Sequence, residues 1–402
     1  MSPVDGAFDR LTRGVEHVVR EDELKERLDE GRPLRVKLGV DPTVQDVTLG
    51  WAVPLRLLRR FQDDGHTAVL ILGDFTARIG DPSGKSETRP QLSKETVDAN
   101  AERCLDALMA ILAADNLEVR RNSEWLEPMD LPGVLKLTSH YTVAQMLERD
   151  DFRQRFDQQR PISIVEFMYP LMQAYDSVAV RADIELGGTD QLFNLLVGRD
   201  MQRAHDQRPQ IAMTMPLLVG TDGVQKMSQS LGNYISIRDE PDEMFGKTMS
   251  IPDELVGQWA RLGAELSDEE IVEIESAVAS GGPDAAQAKR GVARAIVALY
   301  HDDAAAAAAE AAFDRQFKEG RAPEDVPEVA IPRAAIENGR VQLPRLLADL
   351  GLAASRSEAR RLIAQDGVRI NGDVVSEEEV AVAQLEGSLL QVGKRRFVRL
   401  RS

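Results

Sequence analysis

The sequence predicts an α/β protein in which a parallel sheet, covered by helices on both faces, is followed by a helical domain and a small α+β module. Between residues 35 and 218, apolar runs of strand length alternate with amphipathic helical patterns, and this alternation is typical of a parallel sheet. After residue 240 the strand-like runs stop and helical patterns continue. Near residue 340 the net charge changes sign, which indicates a further boundary.

The elements of the predicted sheet follow one another closely, after an N-terminal helical extension over residues 1–34. Strands are predicted from the apolar runs at 35–40, 68–73, 117–120 and 211–218. Helices are predicted from three- and four-residue apolar spacings at 50–64, 93–114, 142–156, 163–181 and 191–205. Together these elements form a predicted domain over residues 35–235. In such sheets ligands bind at the carboxyl ends of the strands, where the strand order reverses.

The second half of the chain is predicted to contain three further parts. Residues 236–320 form a helical domain, and residues 321–338, which are rich in proline, form a linker. Residues 339–402 form a compact mixed module. Within the module the patterns predict helices at 343–350 and 357–366, a strand and tight turn at 367–372, and a basic final strand at 394–401.

Composition and charge exclude several classes of protein. The chain has 402 residues and a net charge of −18, but residues 341–402 carry 10 basic and 8 acidic side chains against 39 and 59 elsewhere. A surface this acidic repels nucleic acid unless cations are gathered locally. No apolar run reaches the roughly 18 residues of a membrane span, and no secretory signal is recognisable, so we expect a cytoplasmic protein without membrane contact. The single cysteine, Cys104, excludes an intramolecular disulfide, and the five histidines show no metal-ligand spacing.

Polar segments follow the predicted strands and are candidate ligand sites. Residues 41–51 lead from the first strand into a helix, whose N-terminus is suited to phosphate and whose Gly50 allows close approach of a flat ring. Residues 80–89 form a second loop, in which Lys85 and Arg89 are suited to a phosphate and Asp81 to an ammonium group. Taken alone, an ordinary turn and an ordinary surface loop explain these two segments equally well.

Three more polar features lie further along the chain. Tyr169, Gln173 and Asp176 share one helix face, where buried polar groups need partners or a polar ligand. Residues 187–191 form a polar turn at a strand end, and residues 220–230 form a loop with Lys226 that is suited to clamping phosphate. A satisfied core network remains an alternative for the helix face, and a simple polar loop remains an alternative for residues 220–230.

In this order and spacing the segments resemble the class I tyrosyl-tRNA synthetases of bacteria, from about residue 10 to residue 402. The match also includes Asn122 with Trp125 and the stretch 146–152. The resemblance implies a Rossmann-like catalytic domain that joins tyrosine to ATP and then transfers it to tRNA(Tyr). It further implies a homodimer, ATP with Mg²⁺ as substrate, no tightly bound cofactor and no resident metal.

The resemblance also implies roles for individual residues. Asp176 would accept the phenol hydroxyl of tyrosine, Tyr169, Gln173 and Asp81 would surround its ammonium group, and Gln191 would lie near its carboxylate. Lys37 would also bind tyrosine, and the sequence Lys37-Leu-Gly39 is similar to a second bacterial branch of the family rather than to the branch that has tyrosine at this place. For ATP the implied ligands are Gly39, Asp41, Thr43, Gly50, Trp51, Gly187, Asp190 (at the ribose), Met227 and Ser228. The implied catalytic residues are Thr48, Lys85, Arg89, Lys226 and Gln229. In the C-terminal module Arg356, Arg360, Arg361 and Arg369 would contact RNA phosphates.

Both short ATP motifs depart from the family pattern. Where the family has His-x-Gly-His this chain has Thr48-Leu-Gly-Trp51, and where it has Lys-Met-Ser-Lys-Ser this chain has Lys226-Met-Ser-Gln-Ser230. Losing one preorganised donor costs about 3 kcal/mol in comparable sites. Three hypotheses therefore stay open: a tyrosyl-tRNA synthetase with a variant ATP site, a non-adenylating protein that binds tyrosine or tRNA, and a repurposed amino-acid ligase of secondary metabolism.

Overall fold

The N-terminal part of the molecule is built on a six-stranded mixed sheet. In the computed structural model, which describes residues 3–43, 46–81, 92–317, 326–337, 339–393 and 396–401, these residues form two compact units, 1–300 and 301–402. The strands of the first unit are β1 (His17–Val19), β2 (Arg35–Val40), β3 (Thr67–Leu72), β4 (Leu117–Arg121), β5 (Ile184–Gly188) and β6 (Ile211–Met215). Their order is β1-β6-β5-β2-β3-β4, with β1 antiparallel to β6 and the other neighbours parallel.

The central strands are covered on both faces. Residues 68–72 of β3 are all buried, and successive strand residues point to opposite faces, so apolar side chains must pack on each side. On one side Val69 and Ile71 pack with Val180 and Ala182 at the end of a long helix. The parallel sheet predicted from the apolar runs is therefore confirmed.

Fourteen α-helices of the first unit are described, several of them short. They are α1 (Pro3–Thr12), α2 (Glu21–Asp29), α3 (Leu49–Asp63), α4 (Lys94–Leu108), α5 (Ser123–Leu126), α6 (Leu131–Ser139), α7 (Val143–Met146), α8 (Asp150–Asp157), α9 (Ile164–Val180), α10 (Leu192–Ala204), α11 (Pro241–Met249), α12 (Val256–Leu262), α13 (Asp268–Ser280) and α14 (Gly282–Tyr300). Cys104 on α4 is buried, and burial raises the pKa of its thiol to about 11. None of the described helices is long and apolar enough to cross a bilayer.

Three predictions in this unit need correction. The N-terminal extension, predicted to be helical, also contributes the strand β1, because its backbone completes the open edge of β6. The single helix predicted over 142–156 is interrupted between α7 and α8, where Arg149 has an extended backbone and a buried side chain. The helix α4 ends at Leu108 rather than near residue 114.

The C-terminal unit combines helices with two small sheets. Its helices are α15 (Asp303–Phe317), α16 (Leu343–Asp349), α17 (Arg356–Ala364) and α18 (Val382–Leu385). Its strands are β7 (Glu328–Ala330), β8 (Ile336–Glu337), β9 (Arg340–Gln342), β10 (Val368–Ile370), β11 (Asp373–Val374), β12 (Glu379–Ala381), β13 (Leu389–Val392) and β14 (Arg396–Arg401). The sheet orders are β11-β10-β13-β14-β7 and β12-β9-β8. β7 and β8 lie inside the segment predicted as a linker, and β7 pairs with β14, so this part of the segment is structured.

Candidate active site

A cavity of about 530 Å³ opens at the carboxyl ends of β2 and β5. These strands are neighbours, and the chain order reverses between them, which is where parallel sheets bind ligands. Most of the residues singled out from the sequence line it: Gly39, Asp41, Thr43, Thr48, Gly50, Trp51, Asp81, Tyr169, Gln173, Asp176, Gly187, Asp190, Gln191, Lys226, Met227, Ser228 and Gln229. Segments far apart in the sequence are thus brought together at one site.

Glycines shape the wall that β2 and β3 contribute. Gly39 is exposed in a strand whose neighbours are buried, and a Cβ built there meets nothing within 4 Å. At Gly73 a Cβ would lie 2.0 Å from Asp41 Oδ1 and 2.5 Å from Thr76 Oγ1. Gly73 therefore allows the Asp41 side chain to lie against the backbone, and Gly39 leaves open space in the cavity.

Asp176 is a buried carboxylate in the cavity wall. Trp125 Nε1 donates to its Oδ1 at 2.8 Å, and Asn122 Nδ2 donates to its Oδ2 at 3.3 Å. Burial raises the pKa of Asp176 to about 7, against the opposing effect of the Lys37 charge. Such a carboxylate can accept a further hydrogen bond from a polar group of a ligand.

A second carboxylate, that of the half-buried Asp41, lies nearby. Its Oδ1 accepts from Thr76 Oγ1 at 2.7 Å, and its Oδ2 accepts from the Tyr169 hydroxyl at 2.9 Å. Burial raises the pKa of Asp41 to about 7 and raises the pKa of Tyr169 above its ordinary value. The two predicted ligands are therefore partners of one another, with Tyr169 held as a neutral donor.

The predicted ligand Lys37 is buried behind the cavity rather than lining it. Its Nζ donates to Glu185 Oε1 at 2.9 Å, to Ser177 Oγ at 2.8 Å and to the Gln173 carbonyl at 3.0 Å. These three bonds use all the N–H groups of an ammonium. Lys37 thus supports the helix that carries Gln173 and Asp176, and its ammonium has no donor left for a ligand.

The first predicted ATP segment, Thr48 to Trp51, forms the N-terminus of α3. Thr48 is the N-cap, and its Oγ1 accepts from Trp51 N at 3.3 Å. Trp51 is half-buried and lines the cavity. Gly50 N lies 3.3 Å from Met227 Sδ, so the two motifs are in contact.

The second motif contributes one cation and a short turn. Lys226 Nζ lies 2.5 Å from Asp190 Oδ2, the carboxylate predicted to hold a ribose. Ser228 N donates to Asn233 Oδ1 at 2.8 Å, and Gln229 begins a single 3₁₀ turn, Gln229–Leu231. Asn233 is buried and anchors the motif, a role that no sequence pattern indicated.

The remaining predicted residues lie elsewhere. Lys85 and Arg89 fall outside the described residues. Arg356, Arg360 and Arg361 are exposed on α17, and Arg369 is exposed on β10. Arg360 pairs with Glu378 at 3.1 Å, and Arg369 donates to the Gly372 carbonyl.

Comparison with known proteins agrees with this geometry. A family model described as tRNA synthetases class I (W and Y) matches residues 29–318, and an S4 domain model matches residues 341–382. The chain is 51% identical over 394 residues to the tyrosine–tRNA ligase of Moorella thermoacetica, covering 97% of this chain and 94% of that protein. It is 46% identical over 400 residues to the tyrosine–tRNA ligase of Mannheimia succiniciproducens, covering 100% and 99%.

The fold is also similar to solved structures. The tyrosyl-tRNA synthetase of Archaeoglobus fulgidus, crystallised with L-tyrosine, superimposes with a TM-score of 0.61 at 23% identity over 75% of this chain and 99% of that one. A C-terminally truncated mitochondrial tyrosyl-tRNA synthetase of Aspergillus nidulans gives a TM-score of 0.63 at 23% identity, over 77% and 94%. The chain therefore belongs to the class I tRNA synthetases of the tryptophan and tyrosine group, and it carries an S4 domain at its C-terminal end.

Proposed function

We propose that this chain activates tyrosine with ATP and transfers it to tRNA(Tyr). The observation that carries the proposal is Asp176, a buried carboxylate that faces the cavity and is held by donors from Trp125 and Asn122. Such a carboxylate is suited to accept a hydrogen bond from a phenol hydroxyl. The near full-length identity to tyrosine–tRNA ligases supports the same reaction and does not favour the non-adenylating or secondary-metabolism alternatives.

Asp176 also gives a physical basis for specificity. A tyrosine hydroxyl would donate to this carboxylate, whereas phenylalanine would leave the buried acceptor without that bond. Sites built to bind a substrate hydroxyl reject the analogue that lacks it, and tyrosine-specific synthetases are themselves the standard example. Discrimination therefore resides in one buried oxygen acceptor.

The first chemical step requires positioning and charge neutralisation. A carboxylate oxygen of tyrosine attacks the α-phosphorus of ATP, the bond to the bridging oxygen of pyrophosphate breaks, and tyrosyl-adenylate forms. ATP enters with Mg²⁺ as substrate. Lys226 supplies positive charge near the phosphates, and the N-terminus of α3 presents backbone N–H groups to them. No side chain needs to change its protonation state in this step.

The second step uses the same site. A ribose hydroxyl at the end of tRNA attacks the carbonyl carbon of the adenylate, and the bond from that carbon to the phosphate oxygen breaks. AMP leaves, and its phosphate takes up the proton of the hydroxyl. The exposed arginines of α17 and β10 hold RNA phosphates, which places local positive charge on an otherwise acidic protein. The S4 domain match supports this assignment.

A homodimer is the form of the protein that we propose. Large apolar side chains are exposed along the segment from α6 to the start of α9: Leu131 is 69% exposed, Leu135 61%, Val143 62%, Phe156 62% and Ile164 81%. A contiguous exposed apolar patch marks an interaction site, and we propose that these side chains form one. A second copy of the chain would bury it in a symmetric contact.

Tyrosine-dependent exchange of labelled pyrophosphate into ATP tests the proposal. We expect exchange with tyrosine but not with phenylalanine, followed by charging of tRNA(Tyr). In the variant Asp176→Asn the exchange should fall at least about a hundredfold, since the acceptor loses its charge. The matched control Asp98→Asn changes a carboxylate that pairs with Arg121 outside the cavity and should leave the exchange unchanged.

Two results would overturn this function. A folded wild-type protein that binds tyrosine in a calorimeter but gives no exchange would be a binding protein. A protein that exchanges pyrophosphate but charges a small amine instead of tRNA would be a ligase of another pathway.

A further inference from the structure

A continuous chain of hydrogen-bonded amides runs along one side of the cavity. Gln173 Nε2 donates to Glu185 Oε1 at 3.1 Å, and Gln191 Nε2 donates to Asp81 Oδ2 at 2.8 Å. Between the two glutamines lies Asn194, whose Nδ2 donates to Gln173 Oε1 and to Gln191 Oε1, both at 3.0 Å. Asn194 does not line the cavity and is only 1% exposed.

The direction of this chain follows from the chemistry of its ends. Each ionised carboxylate only accepts hydrogen bonds, so each glutamine must turn its NH₂ group toward its own carboxylate, Glu185 or Asp81. Both glutamine carbonyls then point at Asn194. One residue must therefore donate two hydrogen bonds at the same time, and a primary amide does this with its two N–H groups.

Arg149 fixes Asn194 in this orientation. Its Nη1 lies 3.3 Å from Asn194 Oδ1, and a guanidinium only donates, so the carbonyl of Asn194 faces Arg149 and its NH₂ group faces the glutamines. Arg149 is 6% exposed and is paired with Asp151 at 2.8 Å. The break between α7 and α8 therefore places the buried guanidinium of Arg149, a hydrogen-bond donor, behind the site.

We propose that Asn194 is a positioning residue that sets the amide orientation of Gln173 and Gln191, and through them the recognition of the polar end of the amino acid. The two glutamines line the cavity on the side where the proposed function has the ammonium and carboxylate of tyrosine bound. If either amide turned over, it would present a carbonyl where it now presents an NH₂ group. This inference rests on the proposed function, since it assigns a role within that same site.

Substitutions of Asn194 separate orientation from packing. Asn194→Asp keeps the shape but only accepts, so both glutamines must turn over and set their carbonyls against Glu185 and Asp81. Asn194→Ala leaves a small space in which a water molecule can donate to both carbonyls. If Asn194 acts by orienting the two amides, the isosteric variant Asn194→Asp should bind tyrosine more weakly than Asn194→Ala. If Asn194 only fills space, the order of the two affinities should be the opposite. The negative charge that Asn194→Asp adds would by itself favour binding of the tyrosine ammonium group. A pure charge effect therefore predicts tighter tyrosine binding in this variant, not weaker binding.

The measurement is the Kd for tyrosine by calorimetry, together with the KM for tyrosine and for ATP in the exchange assay. We expect the Kd for tyrosine to rise about 10-fold in Asn194→Ala and about 100-fold in Asn194→Asp. The KM for ATP should stay within about two-fold of wild type in both, because nucleotide groups lie at the other motifs.

Asn194→Ser provides a second comparison if the aspartate variant does not fold. Serine and alanine have nearly the same volume, but the serine hydroxyl retains one donor. We therefore expect the Asn194→Ser variant to bind tyrosine more tightly than the Asn194→Ala variant. The inference is overturned if tyrosine affinity falls less in Asn194→Asp than in Asn194→Ala. It is also overturned if the Asn194→Ser and Asn194→Ala variants bind tyrosine with equal affinity. Failure of the wild-type protein to bind tyrosine would instead reject the proposed function.

Discussion

The Met227 sulfur lies 3.3 Å from the backbone nitrogen of Gly50 and joins the two segments that are predicted to bind ATP. Met227 is buried, and its Cβ lies 3.4 Å from the position that a Cβ on Gly50 would occupy. The loop of the second motif is thus packed directly on the helix N-terminus of the first. Changes in either motif are expected to affect the other.

Replacing Met227 tests this coupling. In Met227→Ala the contact with Gly50 is lost, and we expect the KM for ATP to rise about five- to tenfold, with the Kd for tyrosine unchanged. Met227→Leu keeps most of the volume and is the matched control, expected to lie within about two-fold of wild type. Equal effects of the two variants on ATP would show that the sulfur rather than the packing is required.

Introducing the residues that the resemblance implies for the two ATP motifs is expected to increase the rate of adenylation. Trp51→His and Gln229→Lys return an imidazole beside the nucleotide and a cation beside the pyrophosphate. Each should raise the rate of pyrophosphate exchange about tenfold or more if the altered residues limit the reaction. A decrease in the Trp51→His variant would show instead that the indole has taken over part of nucleotide binding.

Two glycines of the cavity wall are expected to respond differently to alanine. In Gly39→Ala the new methyl group meets no protein atom within 4 Å, so stability should be kept while ligand affinity falls, because the methyl enters the cavity. In Gly73→Ala the methyl would lie 2.0 Å from Asp41 Oδ1, so that side chain must move away from Thr76 and Tyr169. Thermal unfolding should show a loss of about 2 kcal/mol or more for Gly73→Ala only. An equal loss for Gly39→Ala would contradict the open space there.

Asp176 is expected to make stability and ligand binding depend on pH in opposite directions. Its pKa is raised to about 7 by burial, against about 3.9 in an unfolded chain. The folded state therefore holds the extra proton between these values, and its contribution to stability is fully present below about pH 4 and is lost as pH rises through 7. Tyrosine affinity should rise over the same range, because the ionised carboxylate is the better acceptor.

The variant Asp176→Asn isolates this group. The free energy of unfolding of the variant minus that of wild type should increase between pH 4 and pH 7, by on the order of 2–4 kcal/mol. Denaturant unfolding at several pH values measures this difference. A difference that does not change with pH would mean that Asp176 is ionised throughout.

The exposed apolar segment from α6 to the start of α9 is expected to form the dimer contact. Leu135→Asp places a charge on this surface and should shift the mass in solution from dimer to monomer. Val272→Asp on α13, where the native side chain is similarly exposed at 65%, is the matched control and should leave the mass unchanged. A monomeric wild-type protein would reject the homodimer, whatever the variants do.

The elements predicted well from the sequence are those that local pattern specifies. β2 and β3 are apolar runs of strand length, and α9 has a capping box at Ser163 and Glu166 that begins a regular helix. β1 was not predicted because its three residues have no strand pattern of their own. It forms only because β6, almost two hundred residues later, offers an unpaired edge.

The candidate site follows the same rule: residues in local motifs are predictable from the sequence, and residues that act through distant partners are not. The cavity residues were identified through motifs next to strand ends, where parallel sheets place their sites. Lys37 was assigned to the ligand, but its partners Glu185 and Ser177 are distant in sequence and no local pattern links them. The sequence predicts no role for Asn194, and none for Arg149 although the stretch 146–152 belongs to the resemblance, because both act through long-range hydrogen bonds between buried groups.

Because Cys104 is buried, the rate at which a thiol reagent labels it reports local opening of this protein. The side chain is 1% exposed and its thiol pKa is raised to about 11, so a thiol reagent at neutral pH finds almost no thiolate in the closed state. The chain has only this cysteine, so the rate of labelling follows the opening of the structure around the Cys104 side chain on α4. Substrates that slow the labelling would thereby reveal, without any engineered probe, how strongly an occupied site restrains a helix that makes no direct contact with the chemistry.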